Sequence, residues 1–275
     1  MHFLSTLIFG TPFAQYQDMS SDFLSLVVQI FSLIIILIGL YGIVYLLRTV
    51  RLILLDKRAA ARSLPFEASP KNITAHFLIL GDSTAFGTGA LDRHDSVAGR
   101  LAKDFPNAHI DNHAENGSFT KDIVSKLPQL KEEFFDFALI QVGGNDIFAF
   151  KSLKVVRKNI LDILTVVKQI SNNKVILVSP MNVGSSSLLW FPLTILYSLR
   201  SQLVRHVFKR AAKSLDVVVV DLYKPKYRDP FAKEPRIYFA KDGVHPSGDG
   251  YGYIYERVHD AIKKHRMILS KAMPQ

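Results

Sequence analysis

The stretch Phe77-Leu78-Ile79-Leu80-Gly81-Asp82-Ser83-Thr84 joins four consecutive apolar residues to a small turn that presents a hydroxyl. An apolar run of this length, bounded by glycine, predicts a buried strand. If the strand is central in a parallel sheet, its carboxyl end opens into the crevice where open α/β sheets bind ligands. Ser83 can act there as a nucleophile if the chain also supplies a base, a group that orients the base, and oxyanion donors. Taken alone, the turn is more typical of a helix cap.

Three other interpretations of the glycine-rich residues 81–89 fail on spacing. A P-loop needs a following Gly-Lys-Ser/Thr, which is missing. A dinucleotide fingerprint needs a third glycine, but Asp92 stands in its place. The nucleophile elbow of α/β-hydrolases needs glycine two residues after the serine, and this chain has Ala85 there.

Strand-like and helix-like segments alternate from residue 75 onward, which predicts an α/β domain over residues 75–268. Continuous apolar strands separated by amphipathic helices indicate a parallel sheet that is covered on both faces. The predicted strands are residues 75–80, 109–112, 137–142, 174–179 and 217–222. The predicted helices are residues 96–105, 120–131, 153–170, 196–215 and 248–267.

Residues 23–47 form an uncharged apolar segment. At about 1.5 Å per residue, a helix of this length crosses a hydrocarbon core of roughly 30 Å. The alternative is a buried core helix. A soluble helix of this length does not need apolar residues on every side, so the uniform apolar composition favours a membrane span. We therefore predict one transmembrane helix, which follows a tail of residues 1–22 and precedes a basic juxtamembrane segment and linker over residues 48–74. A second tail covers residues 269–275.

Charge predicts the orientation of this helix. Residues 1–22 contain no Lys or Arg, which argues against a secretory signal peptide. Five cations follow the helix, so the positive-inside rule places the bulk of the chain in the cytoplasm. They are Arg48, Arg51, Lys57, Arg58 and Arg62.

Composition narrows the class of protein further. The chain has no cysteine, which excludes disulfides, thiolate metal sites and cysteine nucleophiles. Its net charge of +10 fits an anionic membrane surface. We expect no nucleic-acid binding, because the basic residues cluster beside the apolar segment without an aromatic stacking platform.

A second chemical motif, Asp242-Gly243-Val244-His245-Pro246, lies near the end of the chain. A carboxylate three residues before a histidine can accept a hydrogen bond from imidazole Nδ1–H and stabilise the imidazolium. Pro246 biases His245 toward an extended conformation just before the last helix. The alternative is a solvated Asp-Gly turn with a surface histidine.

Two further motifs follow predicted strands. Gly143-Gly144-Asn145-Asp146 comes after the third strand, where Asn145 can aim its amide at an oxyanion or serve as a helix cap. The loop of residues 112–117 follows the second strand, and Gly117 can offer a backbone N–H there. Because a parallel sheet brings the carboxyl ends of its strands to one edge, we expect all four motifs to meet.

Together these motifs resemble the SGNH (GDSL) hydrolase family, whose four blocks contribute Ser, Gly, Asn and His in this order. The resemblance covers roughly residues 74–268, and the departure lies in the second block, where Ala114 stands at a position that usually holds Gly or Ser. The matching segments are Gly81-Asp82-Ser83, Gly117, Gly143-Gly144-Asn145-Asp146 and Asp242-Gly243-Val244-His245.

The resemblance implies a flavodoxin-like three-layer αβα fold with a parallel five-stranded sheet, and ester hydrolysis without a metal or cofactor. It implies that Ser83 is the nucleophile, His245 the base and Asp242 the group that orients the base. The oxyanion hole would consist of the N–H groups of Ser83 and Gly117 and the side chain of Asn145.

The loop after the fourth strand bears on the substrate, because it carries the only tryptophan, Trp190, beside Phe191. It is either a packed connection to the next helix, an acyl-chain wall, or a surface that touches the bilayer. Three functions remain open: an esterase or lipase acting on acyl esters, an acyltransferase or carbohydrate O-deacetylase, and a non-catalytic membrane-surface binding protein.

Overall fold

The computed structural model describes residues 12–131 and 133–265, which form a five-stranded parallel sheet with helices on both faces. Apolar side chains fill the strands, and β1, β3 and β4 are almost completely buried. The strands are β1 (Ala75–Gly81), β2 (Ala108–Asn112), β3 (Phe137–Gln141), β4 (Val175–Val178) and β5 (Val218–Val220).

The strand order is β2-β1-β3-β4-β5, and every neighbouring pair is parallel. This is the flavodoxin-like order, in which the chain reverses its direction of winding between β1 and β3. Ligands of such sheets bind at this switch point, outside the carboxyl ends of the strands. The predicted fold class is therefore confirmed, and the switch point lies where Ser83 follows β1.

Ten α-helices occur in the described residues. They are α1 (Pro12–Arg62), α2 (Ser83–Phe86), α3 (Val97–Asp104), α4 (Thr120–Leu130), α5 (Gly144–Phe148), α6 (Leu153–Ile170), α7 (Leu193–Ser214), α8 (Pro230–Lys233), α9 (Pro235–Tyr238) and α10 (Gly248–His265). The predicted helices are all present, with ends shifted by a few residues. Residues 266–267 of the last predicted helix, and the predicted tail 269–275, lie outside the described residues.

Two separate apolar cores flank the sheet. Alternate residues of β1 point to opposite faces, as a strand requires. Phe77 and Ile79 belong to the core beneath α3 and α10. Leu78 and Leu80 belong to the core beneath α4, α6 and α7. The result is three layers, with the sheet in the middle.

Contacts divide the chain into two compact units, Met1–Arg51 and Leu52–Gln275. The first contains the apolar part of α1. Among the described residues, one helix, Phe23–Arg62, is long and apolar enough to cross a membrane, a criterion that a signal sequence also meets. Of the predicted tail 1–22, residues 1–11 lie outside the described residues, and α1 begins at Pro12.

The predicted juxtamembrane segment and linker of residues 48–74 is helical up to Arg62 and is not an irregular linker there. The helix continues to Arg62, because its Ala59-Ala60-Ala61 run favours helix and the first proline comes only at Pro65. The following residues are also packed. Phe66 is buried, and Ala68 forms an isolated bridge with Ile110 beside β2. The second compact unit therefore begins well before residue 75.

Candidate active site

Ser83 lies at the junction of β1 and the short helix α2. A β-carbon on Gly81 would lie 2.0 Å from the carbonyl oxygen of Gln141, so only glycine fits where β1 ends beside β3. Asp82 caps α2, and Ser83 is the first residue of that helix. The first N–H groups of a helix have no partner within it, so the N–H of Ser83 is available to a ligand.

Asp82 stabilises this turn. Its side chain is buried, with one oxygen accepting a hydrogen bond of 2.9 Å from the Thr84 N–H. The other oxygen accepts one of 3.2 Å from the N–H of Gly143. This single carboxylate therefore ties the turn after β1 to the turn after β3.

His245 is fixed by a tight turn that begins at Asp242. One Asp242 oxygen accepts hydrogen bonds from the N–H groups of Val244 and His245, at 2.8 and 2.9 Å. Gly243 has a φ of +71°, which favours glycine. The second Asp242 oxygen lies 3.0 Å from Nδ1 of His245. The turn thus holds both the carboxylate and the ring that it orients.

The imidazole of His245 connects this turn to Ser83, because its Nε2 lies 2.8 Å from the Ser83 Oγ. Nδ1 faces a carboxylate, so the proton of the neutral ring belongs on Nδ1. Nε2 then accepts a hydrogen bond from the serine hydroxyl. This is the arrangement that activates a serine in acyl transfer.

Charge around His245 stabilises its protonated form. Burial alone lowers the pKa of His245, but the hydrogen bond and charge of Asp242, followed by the charges of Asp56 and Asp82, raise that pKa above its ordinary value. Burial alone raises the pKa of Asp242, whereas the hydrogen bond and charge of His245 bring it below its ordinary value. Both shifts favour an ion pair once the imidazole takes a proton.

The residues predicted for the oxyanion hole line the same pocket as Ser83 and His245. Gly117 has a φ of +80°, a conformation that glycine adopts without strain. The amide nitrogen of Asn145 donates a 3.0 Å hydrogen bond to the carbonyl of Ser118, which fixes the direction of its NH₂ group. The structure thus brings Ser83, Gly117 and Asn145 together around one pocket.

Asp146 supports this arrangement from behind the pocket. Its buried carboxylate accepts hydrogen bonds of 2.9 Å from both the N–H and the hydroxyl of Thr120, at the start of α4. Asn159 of α6 donates to the same hydroxyl at 3.0 Å. The loop that carries Gly117 is therefore linked to the turn that carries Asn145.

A family model of the GDSL-like Lipase/Acylhydrolase family matches residues 79–253, which is more than half of the chain. The chain belongs to this family. Ester hydrolysis by a GDSL-type esterase or lipase is thereby confirmed as its class of activity. No curated protein matches the sequence significantly.

Solved structures resemble the fold at low sequence identity. A lipolytic protein of the G-D-S-L family from Veillonella parvula DSM 2008 is 16% identical, with a TM-score of 0.57 over 69% of this chain and 98% of its own. TesA is 18% identical, with a TM-score of 0.55 over 70% and 99%. The esterase EstA from Pseudoalteromonas sp. is 18% identical, with a TM-score of 0.53 over 70% and 98%. These likenesses concern the fold.

The pocket of this GDSL-type hydrolase is apolar beyond the reacting groups. Its volume is about 300 Å³. Apolar side chains from several elements form most of its wall: Leu52, Ile53, Ala60, Val142, Phe148, Val178, Pro180, Met181, Val183, Leu188, Leu222, Phe231, Phe239 and Val244. Ligand pockets in proteins are usually lined mainly by apolar side chains with a few polar groups placed among them, as here.

Trp190 and Phe191 do not belong to this wall. Of the described residues in their loop, Ser186 and Leu188 line the pocket, whereas Trp190 and Phe191 do not. Trp190 is half-buried and Phe191 is 71% exposed. Their position disfavours the acyl-wall interpretation and leaves the packed connection and the bilayer contact.

Sequence reasoning missed Asp56, which lies on α1 and lines the pocket. Its Oδ1 is 3.2 Å from Nδ1 of His245. Among the described residues, one group could hold a metal ion: Asp56, Asp242 and His245, whose ligand atoms lie within 4.8 Å of one another. A metal at Nδ1 would displace the proton that both carboxylates face. No motif marks Asp56, because a lone acid between an apolar helix and basic residues is typical of a solvated segment.

Proposed function

We propose that this protein is a membrane-anchored serine hydrolase that cleaves lipid-like acyl esters through an acyl-serine intermediate. The observation that carries the proposal is the pair of distances at His245. Its Nε2 lies 2.8 Å from Ser83 Oγ and its Nδ1 lies 3.0 Å from Asp242, at the end of a largely apolar pocket.

The reaction follows from this geometry. Ser83 Oγ attacks the ester carbonyl carbon while Nε2 of His245 takes the hydroxyl proton, and Asp242 stabilises the resulting imidazolium. The tetrahedral oxyanion accepts hydrogen bonds from the N–H groups of Ser83 and Gly117 and from the Asn145 amide. Loss of one such donor typically costs about 2.7–4 kcal/mol of transition-state stabilisation.

The intermediate then collapses as the bond to the alcohol breaks, and His245 gives its proton to the leaving oxygen. Water attacks the acyl-serine next, with His245 again taking the proton, and the acid product leaves. This cycle consumes one ester and one water, and it returns Ser83 and His245 to their starting states.

The membrane part of the proposal rests on α1 and on charge. The apolar residues 23–47 are long enough to span a bilayer. Five cations follow them, whereas residues 1–22 contain no Lys or Arg, so the hydrolase unit belongs on the cytoplasmic side.

We further propose that Trp190 and Phe191 touch the bilayer surface. They precede α7, whose exposed Ile195, Leu199 and Leu203 are spaced four residues apart and so share one helix face. Together these residues present an apolar surface of the kind that marks interaction sites.

Ser83→Ala should abolish hydrolysis of p-nitrophenyl esters while the protein stays folded. Removal of a serine nucleophile typically costs about 10⁶-fold in kcat. The measurement is initial rate on acetyl and long-acyl p-nitrophenyl esters, with Ser125→Ala as a control that removes an exposed serine hydroxyl outside the pocket lining. Retained activity in Ser83→Ala would refute the acyl-serine mechanism.

The wild-type assay also separates the alternative functions. Transfer of the acyl group to an added alcohol in preference to water would favour an acyltransferase, and no hydrolysis by the wild type would favour a binding protein.

Replacement of both Trp190 and Phe191 by serine should slow hydrolysis of a long-acyl ester held in anionic vesicles more than hydrolysis of a soluble acetyl ester. The pocket is untouched, but the apolar contact with the vesicle is lost. Phe134→Ser is the matched control, because Phe134 is 63% exposed and lies just before β3, at the amino-terminal ends of the strands and away from the pocket. Equal losses on both substrates would contradict the bilayer contact.

Single-cysteine labelling tests the orientation cleanly, because the chain contains no cysteine. Lys103→Cys, on the exposed side of α3, should react with a membrane-impermeant maleimide only after the cells are lysed. Ser21→Cys, on the other side of the predicted span, should react in intact cells. The reverse pattern would overturn the cytoplasmic assignment, and labelling of both sites in intact cells would overturn the membrane span.

A further inference from the structure

The imidazole of His245 faces two carboxylates. Asp242 Oδ2 is 3.0 Å from Nδ1, and Asp56 Oδ1 is 3.2 Å from the same nitrogen. Since Nδ1 carries one proton, the two acids share one donor. The motif that resembles the hydrolase family accounts for Asp242, whereas Asp56 comes from a helix that precedes the sheet.

Asp56 points into the site because one face of α1 forms part of the pocket wall. Leu52, Ile53, Asp56 and Ala60 line the pocket, at the spacing that places residues on one side of a helix. All four belong to the compact unit that begins at Leu52. The acid thus lies on a helix face whose other pocket-lining residues are apolar.

Hydrogen bonds fix the end of α1 against the rim of the site. The carbonyl oxygen of Ala60 accepts a 3.4 Å hydrogen bond from the side chain of Asn116, the neighbour of Gly117. Ser63 Oγ lies 3.1 Å from Thr88 Oγ1, just after α2. These contacts hold the helix one to two turns from Asp56, so its carboxylate is placed by the structure around it.

The two carboxylates have different surroundings. Asp242 is buried and accepts two backbone hydrogen bonds, so its position is set by its own turn. The side chain of Asp56 is 38% exposed and that of His245 is 9% exposed. Water therefore partly screens the charge of Asp56. Its Oδ1 nevertheless lies within 3.2 Å of Nδ1, the nitrogen that Asp242 also faces.

We propose that Asp56 is a positioning residue of this hydrolase, a second carboxylate that holds the His245 ring toward Ser83 and stabilises the imidazolium of the transition state. The proposal rests on the proposed function. Its electrostatic part follows from the charges around the ring: Asp242 and Asp82 face it from the other elements, and Lys57 is the charged neighbour of Asp56 on α1.

The sign of the pH effect follows from these charges. An anion beside Nδ1 favours the protonated ring, so removal of the Asp56 charge lowers the pKa of His245. The neutral, active form of the imidazole then persists to lower pH. The stabilisation of the imidazolium in the transition state also falls, so the plateau rate falls as well.

The test compares Asp56→Asn, Asp56→Glu and the control Asp260→Asn in the full-length protein. Asp260 is an exposed residue of α10, so its variant carries the same chemical change away from the site. We expect Asp56→Asn to lower kcat by about 3- to 10-fold with an unchanged KM. We also expect it to shift the acidic limb of the kcat–pH profile to lower pH. Asp56→Glu should recover the wild-type limb. An Asn variant whose kcat and acidic limb match those of Asp260→Asn would overturn the proposal.

An NMR titration of the His245 ring measures its coupling to Asp56 without any turnover, so it applies even if the wild type hydrolyses no ester. An unchanged titration in Asp56→Asn would overturn the positioning role, while absent hydrolysis would overturn only the proposed function. EDTA should leave the wild-type rate unchanged. Loss of activity with EDTA and recovery with Zn²⁺ would show that Asp56, Asp242 and His245 hold a metal instead.

Discussion

The hydrogen bond between Nε2 of His245 and Oγ of Ser83 joins residues that lie 162 positions apart in the chain. Neither residue reaches the other through local structure. Ser83 is placed by β1, an interior strand of the sheet, and His245 by a turn before α10. Because the sheet is parallel throughout, the carboxyl ends of its strands share one edge, where such sheets bind ligands, so the candidate chemistry depends on strand direction and order.

Close packing at that edge depends on small residues. Gly81 allows the end of β1 to approach β3 to a distance that no side chain permits. A β-carbon on Gly89 would similarly lie 2.5 Å from the carbonyl oxygen of Pro246, just after the histidine. Asp82 and Asp146 then satisfy the backbone groups that these turns leave buried. At the active-site edge, buried carboxylates thus accept hydrogen bonds from backbone and hydroxyl donors of different loops and tie these loops together.

The sequence indicated the sheet and its central motifs because each carries a local signal. Apolar runs such as residues 77–80 predict buried strands, and Asp242 to His245 have the spacing of a carboxylate–imidazole turn. Asp56 carries no such signal. Its place beside His245 depends on where the end of α1 lies against the rim, which is a tertiary contact between segments far apart in the chain. The buried Phe66 was hidden for the same reason, since it lies between prolines in a stretch that resembles a linker.

The sequence left the loop around Trp190 open to three interpretations: a packed connection, an acyl-chain wall and a bilayer contact. Composition could not choose among them, because it does not say which way a loop faces. The structure gives that wall to residues from several other elements, including Leu52 and Ile53 of α1. The helix α1 therefore contains the apolar segment of residues 23–47 and, further along, residues that line the pocket.

Covalent labelling with diethyl p-nitrophenyl phosphate tests the central claim most directly, because an activated serine attacks the phosphorus and keeps the diethyl phosphoryl group. Peptide mass mapping should find one label, on Ser83, and the label should be missing when His245 is replaced by alanine. A label on a neighbouring hydroxyl such as Ser186, or an equal rate of labelling without His245, would contradict the account of Ser83 as a nucleophile activated by the imidazole.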